Sequence, residues 1–138
     1  MNALELQDVI FEELVRIFGP SYVQKNKNET YQNISFKYSE NTLRQYDHSG
    51  NPVCDERWRV ILETEDNTIW FGGSVLNKNT ITTLLTLMNY TKEEPKPEYI
   101  GHSNNRFPFY EISISNKDEL NRALYTIIVP SIYNFISP

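Results

Sequence analysis

The chain has 138 residues, a formal net charge of −5 and a mean hydropathy of −0.53. This length predicts a single globular domain over residues 1–138, because a chain of this size buries roughly two-thirds of its unfolded surface in one core. No basic group in the chain is longer than Lys25-Asn26-Lys27. That disfavours a nucleic-acid binder, which needs a phosphate-neutralising patch, whereas an acidic surface suits a basic protein partner.

The composition also bears on the compartment. Cys54 is the only cysteine, which excludes an internal disulfide and fits a reducing compartment, so we expect a cytoplasmic protein. Residues 1–5 contain no basic segment followed by an apolar run, and no apolar stretch approaches the roughly 20 residues that cross a bilayer. We therefore expect neither a secretory signal nor contact with a membrane.

The first predicted element is a helix over residues 3–18. Asn2 and Glu5 have the spacing of a capping box at its start, and Gly19-Pro20 stops it. Its apolar residues recur at helical spacing on one face, which predicts docking on a sheet: Leu6, Val9, Ile10, Leu14, Ile17 and Phe18. The polar residues 21–32 that follow predict an exposed loop.

Strand patterns begin after this loop. Alternation of apolar and polar residues from Ile34 to Tyr38 predicts a half-buried strand. Over residues 57–76, two runs rich in β-branched and aromatic residues flank Asp66-Asn67, which predicts a β-hairpin turning at those two residues. We expect this hairpin, which carries both tryptophans, to be the centre of the sheet.

The sequence of the C-terminal half predicts two helices and one strand. Residues 79–90 have the apolar spacing of a short helix, and the proline- and charge-rich residues 91–108 predict an irregular loop. Residues 109–115 alternate like a strand. A helix over residues 117–129 follows. Pro130 is predicted to end or kink it near Val129, and its resumption over residues 131–135 is left open.

Together these elements predict an α+β two-layer domain. Its core is a mostly antiparallel sheet of about four to five strands built on the 57–76 hairpin. Three helices, over about 3–18, 79–90 and 117–129, are expected to pack against it.

The sequence offers no specific catalytic motif. It lacks a Gly-rich phosphate loop with its lysine, CxxC or HExxH spacing, and a GxSxG turn. Gly72-Gly73-Ser74 resembles a phosphate loop most, but two glycines in a strand more often mark a bulge or a close backbone approach. We therefore predict no catalytic residue and no cofactor.

Paired carboxylates leave one enzymatic alternative open. Glu63 and Glu65 share a face of a strand, and Asp55 is able to join them, so the three are candidates to hold Mg²⁺ in a metal-dependent hydrolase or nuclease. His48 or His102 would then serve as general base. A lysine that such nuclease sites use is missing, and a solvated outer face of the hairpin explains both glutamates more simply, so no metal site is our main prediction.

A different set of residues suits a partner surface, since aromatic anchors inside an acidic rim are typical of tight inhibitor interfaces. The candidates are Glu93, Glu94, Glu98, Tyr99, His102, Arg106, Trp58 and Trp70. We expect a small acidic cytoplasmic protein that neutralises a basic partner such as a toxin or effector, in the manner of a toxin-immunity protein or a phage-type inhibitor. A small ligand-binding regulatory module, with its pocket between sheet and helices, is a further alternative.

Overall fold

The computed structural model describes residues 1–27, 32–39, 48–50, 56–72, 98–102 and 108–136. Over these ranges the chain forms a six-stranded antiparallel sheet with helices packed on one face, so the predicted α+β class is confirmed. No helix within them is long and apolar enough to cross a membrane.

The elements follow in chain order, with a wide π-helical turn joining the last two helices. They are α1 (Ala3–Phe18), β1 (Val23–Lys27), β2 (Gln32–Ser39), β3 (Glu56–Glu65), β4 (Thr68–Gly72), β5 (Glu98–His102), β6 (Pro108–Ser113), α2 (Lys117–Ala123), the π-helical turn (Leu124–Ile128) and α3 (Val129–Ile136).

The strand order across the sheet is β1-β2-β3-β4-β6-β5. The predicted hairpin forms its centre: Glu65 of β3 pairs with Thr68 of β4, which leaves Asp66 and Asn67 as the turn. Asn67 has φ 58°, in the left-handed region that Asn tolerates better than most residues. The strand order is sequential except at the far edge, where β6 lies between β4 and β5.

Helix α1 has the predicted ends. The Asn2 side chain accepts a hydrogen bond from the Glu5 amide at 2.9 Å, which is the N-cap bond, and its own side-chain amide donates to the Glu5 carboxylate at 3.1 Å. At the other end Gly19, with φ 96°, donates to the Val15 carbonyl at 2.8 Å. A left-handed glycine of this kind terminates a helix without the strain that a Cβ would add.

The core lies between the sheet and the helices. Its buried apolar side chains come from α1, from strands β1 to β4 and β6, from the segment after β6, and from the C-terminal helices: Leu6, Ile10, Leu14, Val23, Ile34, Phe36, Ile61, Leu62, Ile69, Phe71, Tyr110, Ile112, Ile114, Leu120, Ala123, Leu124, Ile127, Ile128, Val129 and Ile132. Gln7 is the polar member of the α1 face. The Gln7 side chain is fully buried, and its amide nitrogen donates to the Asn26 and Asn33 carbonyls at 2.8 and 3.0 Å. These bonds tie α1 to β1 and β2.

The Asp66–Asn67 turn joins three parts of the chain. Asn67 accepts from the Met1 nitrogen through its side chain at 2.7 Å and from the Ile114 amide through its carbonyl at 2.8 Å. Asp66 accepts from the Ala3 amide at 3.0 Å. The start of α1 and the end of β6 are therefore both held by the central hairpin.

Two strands lie where the sequence predicted loops. The loop prediction for residues 21–32 is wrong over β1, and that for residues 91–108 is wrong over β5 and at Pro108, where β6 begins. Both strands lie at the edges of the sheet, so each needs only one neighbour and a weak apolar pattern suffices. The predicted helix over 79–90 lies outside the described residues.

The C-terminal helix begins as predicted and ends later. The Asn116 side chain accepts from the Glu119 amide at 3.0 Å, which caps the start. Of the alternatives at Pro130, the structure shows the one in which the helix resumes, since it continues to Ile136. The Val129 amide bonds to the Leu124 carbonyl five residues back, and this widened turn carries the chain past a proline that has no amide hydrogen to donate.

Candidate functional site: the outward face of the sheet

The register of β2 and β3 contains a β-bulge that shapes the candidate site. Ile34 pairs with Leu62, whereas the next residue, Ser35, pairs with Val60. Ile61 is therefore an extra residue on β3. Because side chains alternate between the two faces of a strand, one extra residue reverses the alternation from that point onward.

The burial of the β3 side chains follows this reversal. Ile61 and its neighbour Leu62 are both fully buried against the helices. Trp58 is 38% exposed and Val60 37% exposed before the bulge. After it, Glu63 is half-buried and Glu65 exposed. The bulge therefore keeps these four side chains on the face that points away from the helices.

The pairing of the central strands extends this surface. Glu63 pairs with Trp70 of β4, Trp70 pairs with Glu111 of β6, and Glu111 pairs with Glu98 of β5. Directly paired residues in a sheet lie side by side on one face. We call the surface formed by the following residues the outward face: Trp58, Val60, Glu63, Glu65, Trp70 and Glu111.

Trp70 is half-buried, and its indole orientation is informative. Its Nε1 atom is buried and has no hydrogen-bond partner within the ranges given above. The part of the side chain that solvent reaches is therefore the carbon part of the ring. Trp70 offers an aromatic surface between two glutamates rather than a hydrogen-bond donor.

The outward face disfavours the ionised form of one of its own side chains, Glu63. Burial raises the pKa of Glu63, and the neighbouring Glu65 carboxylate raises it further. Both causes disfavour the ionised form of Glu63, and a cation bound beside its carboxylate would stabilise that form. Thr64, which lies between Glu63 and Glu65, is fully buried on the other side of the strand, so the two glutamates share a face as the sequence predicted.

The metal alternative gains no support from the geometry. Among the described residues no group of three or more His, Cys, Asp or Glu side chains is placed to hold a metal ion. Asp55, the third predicted ligand, lies outside those residues, as does Cys54. His48 is exposed in a turn, and His102 belongs to β5.

No family model, curated protein or solved structure matches this chain. A function for this chain is therefore inferred from the geometry of the outward face.

The structure places the predicted partner-binding residues in three groups. Trp58 and Trp70 lie on the outward face. Glu98, Tyr99 and His102 belong to β5, and the register puts Glu98 at the end of the row that contains Trp70. The others lie outside the described residues: Glu93, Glu94 and Arg106.

Sequence reasoning assigned no partner-binding role to Val60, Glu63, Glu65 and Glu111. For Glu111 a signal was available, since it lies between Tyr110 and Ile112 in an alternating strand and must face the other way. For Val60 the signal was misleading. Without the bulge, Val60 and Leu62 would point to the same face.

Proposed function

We propose that this chain is a small acidic binding module that neutralises a basic protein partner, in the manner of a toxin-immunity protein or a phage-type inhibitor. The outward face is its contact surface. The observation that carries this proposal is the arrangement of Trp58 and Val60, two exposed apolar side chains, in line with Glu63 and Glu65 on a single rigid strand.

The exposed apolar side chains of this surface support a protein partner. Tryptophan is among the residues that contribute most to binding energy at interfaces, where it fills a pocket of the partner and is surrounded by polar groups. Trp58 and Val60 are held by a strand inside a six-stranded sheet, so little conformational freedom is lost when a partner covers them.

The charge of the surface supports a basic partner. Glu63, Glu65 and Glu111 lie together on it, and the whole chain has a net charge of −5. Lys37 is paired with Trp58, so the negative charge is concentrated at the Glu63 end of the outward face. Such a field speeds association with a positively charged protein and selects against acidic ones.

The same charge balance leads us to propose no nucleic-acid partner, because phosphate would be repelled from this surface. We place the interaction in the cytoplasm, since a chain with one cysteine suits a reducing compartment.

The test combines capture with matched variants. The immobilised chain is exposed at low salt to lysate, and bound proteins are compared for the natural chain, Trp58→Ser, Glu63→Gln and the control Glu12→Gln, which changes an exposed carboxylate on α1. We expect a basic protein that Glu12→Gln retains and the other two variants lose. With that protein purified, Trp58→Ser should weaken binding by about 30-fold or more, the effect of losing an interface hot spot.

Neutralisation itself is then measured as loss of the partner's activity at one equivalent of the chain. A partner that binds Trp58→Ser and Glu63→Gln as tightly as the natural chain would overturn the assignment of the outward face. A partner that is captured through this face and keeps full activity would overturn neutralisation.

A further inference from the structure

A row of three paired residues crosses the centre of the outward face: Glu63, Trp70 and Glu111. The order of these side chains favours one kind of cation. Trp70 is directly paired with Glu63 on one side and with Glu111 on the other. Adjacent strands lie about 4.8 Å apart, so the two glutamates flank the indole at a backbone separation of about 10 Å. A flat group lying over the indole is then within reach of carboxylates on either side.

The exposed part of Trp70 selects among the cationic side chains of proteins. Because its Nε1 atom is buried, the exposed part of the indole is aromatic carbon, and the faces of an indole carry the negative part of its quadrupole. Lysine carries a compact and strongly hydrated ammonium group. Arginine carries a planar and weakly hydrated guanidinium group that stacks on aromatic faces and donates five hydrogen bonds in its plane.

Resting on the proposed function, we infer that the outward face recognises an arginine side chain of the partner. Its guanidinium group stacks on Trp70 and donates hydrogen bonds to the flanking carboxylates of Glu63 and Glu111. The half-buried position of Glu63 adds to this preference, since a charge-assisted hydrogen bond gains strength where water is partly excluded. Trp58 lies farther along β3, beyond Val60 and next to Lys37, and supplies apolar contact to another part of the partner.

The experiment uses hexa-arginine and hexa-lysine peptides as probes, because they carry the same charge and differ in the cationic group. Binding is followed by NMR at low salt, with the indole N–H signal of Trp70 as reporter. We expect hexa-arginine to bind about threefold to fivefold more tightly than hexa-lysine, the size of a partly exposed cation–π contact. It should also shift the Trp70 indole signal more at saturation.

Variants locate the preference on Trp70. Trp70→Leu should lower the ratio of the two affinities most, because only the carboxylate contacts remain, Trp70→Phe should lower it partially, and Trp58→Leu should leave it unchanged. Glu111→Gln should weaken hexa-arginine binding, whereas Glu12→Gln on α1 should not. The backbone NMR spectrum of each variant shows whether it is folded, and Trp70→Phe carries the test if Trp70→Leu is not.

The two proposals fail in different ways. Equal affinity of the natural chain for both peptides, or a preference that is undiminished in folded Trp70→Leu and Trp70→Phe, overturns the arginine site and leaves a basic partner in place. No binding of either peptide at low salt overturns both.

Discussion

Glu63 shows at the scale of one residue that the outward face is not optimised for stability. Its carboxylate is half-buried, and the pKa is raised by that burial and by Glu65. A carboxyl group with a higher pKa in the folded state than in the unfolded state binds more protons when folded. Stability then falls as pH rises through the interval between the two pKa values.

The first prediction follows from this sign. Replacing Glu63 by Gln removes the penalty of burying a charge, so Glu63→Gln should have a higher free energy of unfolding than the natural chain at pH 7. The gain should shrink as pH is lowered toward about 4.3, the ordinary pKa of glutamate. Urea unfolding between pH 4 and 7 measures both effects.

Glu12→Gln is the control, since it removes the same charge from an exposed site on α1. Under the proposed function, Glu63→Gln is more stable and yet binds the basic partner more weakly, which is the usual signature of a residue retained for binding. A Glu63→Gln variant that is less stable than the natural chain at pH 7 would contradict the prediction.

Gln7 is the residue on which the docking of α1 depends most specifically. It is fully buried, and its amide nitrogen donates to carbonyls on both β1 and β2. Gln7→Met keeps the length of the side chain and removes both hydrogen bonds. We expect the free energy of unfolding to fall by about 1–3 kcal/mol, because carbonyls that lose their donor stay shielded from water.

The measurement is chemical denaturation followed by circular dichroism, with Glu12→Met on the exposed side of the same helix as control. That control should change stability by less than about 0.5 kcal/mol. Equal effects of the two substitutions would show that the hydrogen bonds of Gln7 make no net contribution to stability.

At the scale of elements, the bulge in β3 makes a prediction that a regular strand would not. Ile61 and Leu62 are consecutive and both fully buried, whereas Val60 is 37% exposed. Ile61→Ala and Leu62→Ala should each lower the free energy of unfolding by about 2–5 kcal/mol. Val60→Ala should cost less, since Val60 is 37% exposed and the substitution removes a smaller apolar group than Ile→Ala or Leu→Ala does.

The three variants are compared by urea unfolding under one set of conditions. In a regular strand, Val60 and Leu62 would share the costly face and Ile61 would be the tolerant position. A result of that form would refute the bulge and with it the continuity of the outward face.

The elements that the sequence predicts well are those whose signals are local. The cap at Asn2, the stop at Gly19, the turn at Asp66-Asn67 and the alternation of β6 all lie within a few residues of the element that they define. The prediction of β1 failed for a physical reason. An edge strand with Val23 as its buried apolar residue is stabilised by pairing with β2, and its own pattern is polar.

The candidate site was predictable only in part. Both tryptophans were identified as candidates from their position on the hairpin. The pairing of Trp70 with Glu63 follows from the predicted turn. The relation of Trp58 to Glu63 depends on the bulge, and that of Trp70 to Glu111 depends on β6 pairing with β4, and no local pattern encodes these two features. The pair Glu63 and Glu65 was correctly placed on one face.

At the scale of the whole molecule, the Asp66–Asn67 turn links the sheet to the helical layer. Through hydrogen bonds to Met1, Ala3 and Ile114 it joins the start of α1 and the connection to α2. Thr64 adds a bond from its hydroxyl to the Ala3 carbonyl at 2.7 Å. The sheet and the helices should therefore lose structure together.

This gives a prediction about cooperativity. Tryptophan fluorescence reports on β3 and β4, whereas circular dichroism at 222 nm reports mainly on the helices. Both signals should show one transition with the same urea midpoint, as expected for a two-state domain. Fluorescence that changes at a clearly different urea concentration would mean that the two layers unfold independently.

The position of β6 between β4 and β5 has a consequence for the order of assembly during synthesis. β5 leaves the ribosome before β6, yet β6 is the strand that it pairs with. Until residue 113 has emerged, β4 presents an unpaired edge containing Ile69 and Phe71, the kind of edge that recruits other chains. The nascent protein therefore passes through a stage in which aggregation competes with completion, and a chaperone that shields the β4 edge at that stage would raise the yield of folded molecules.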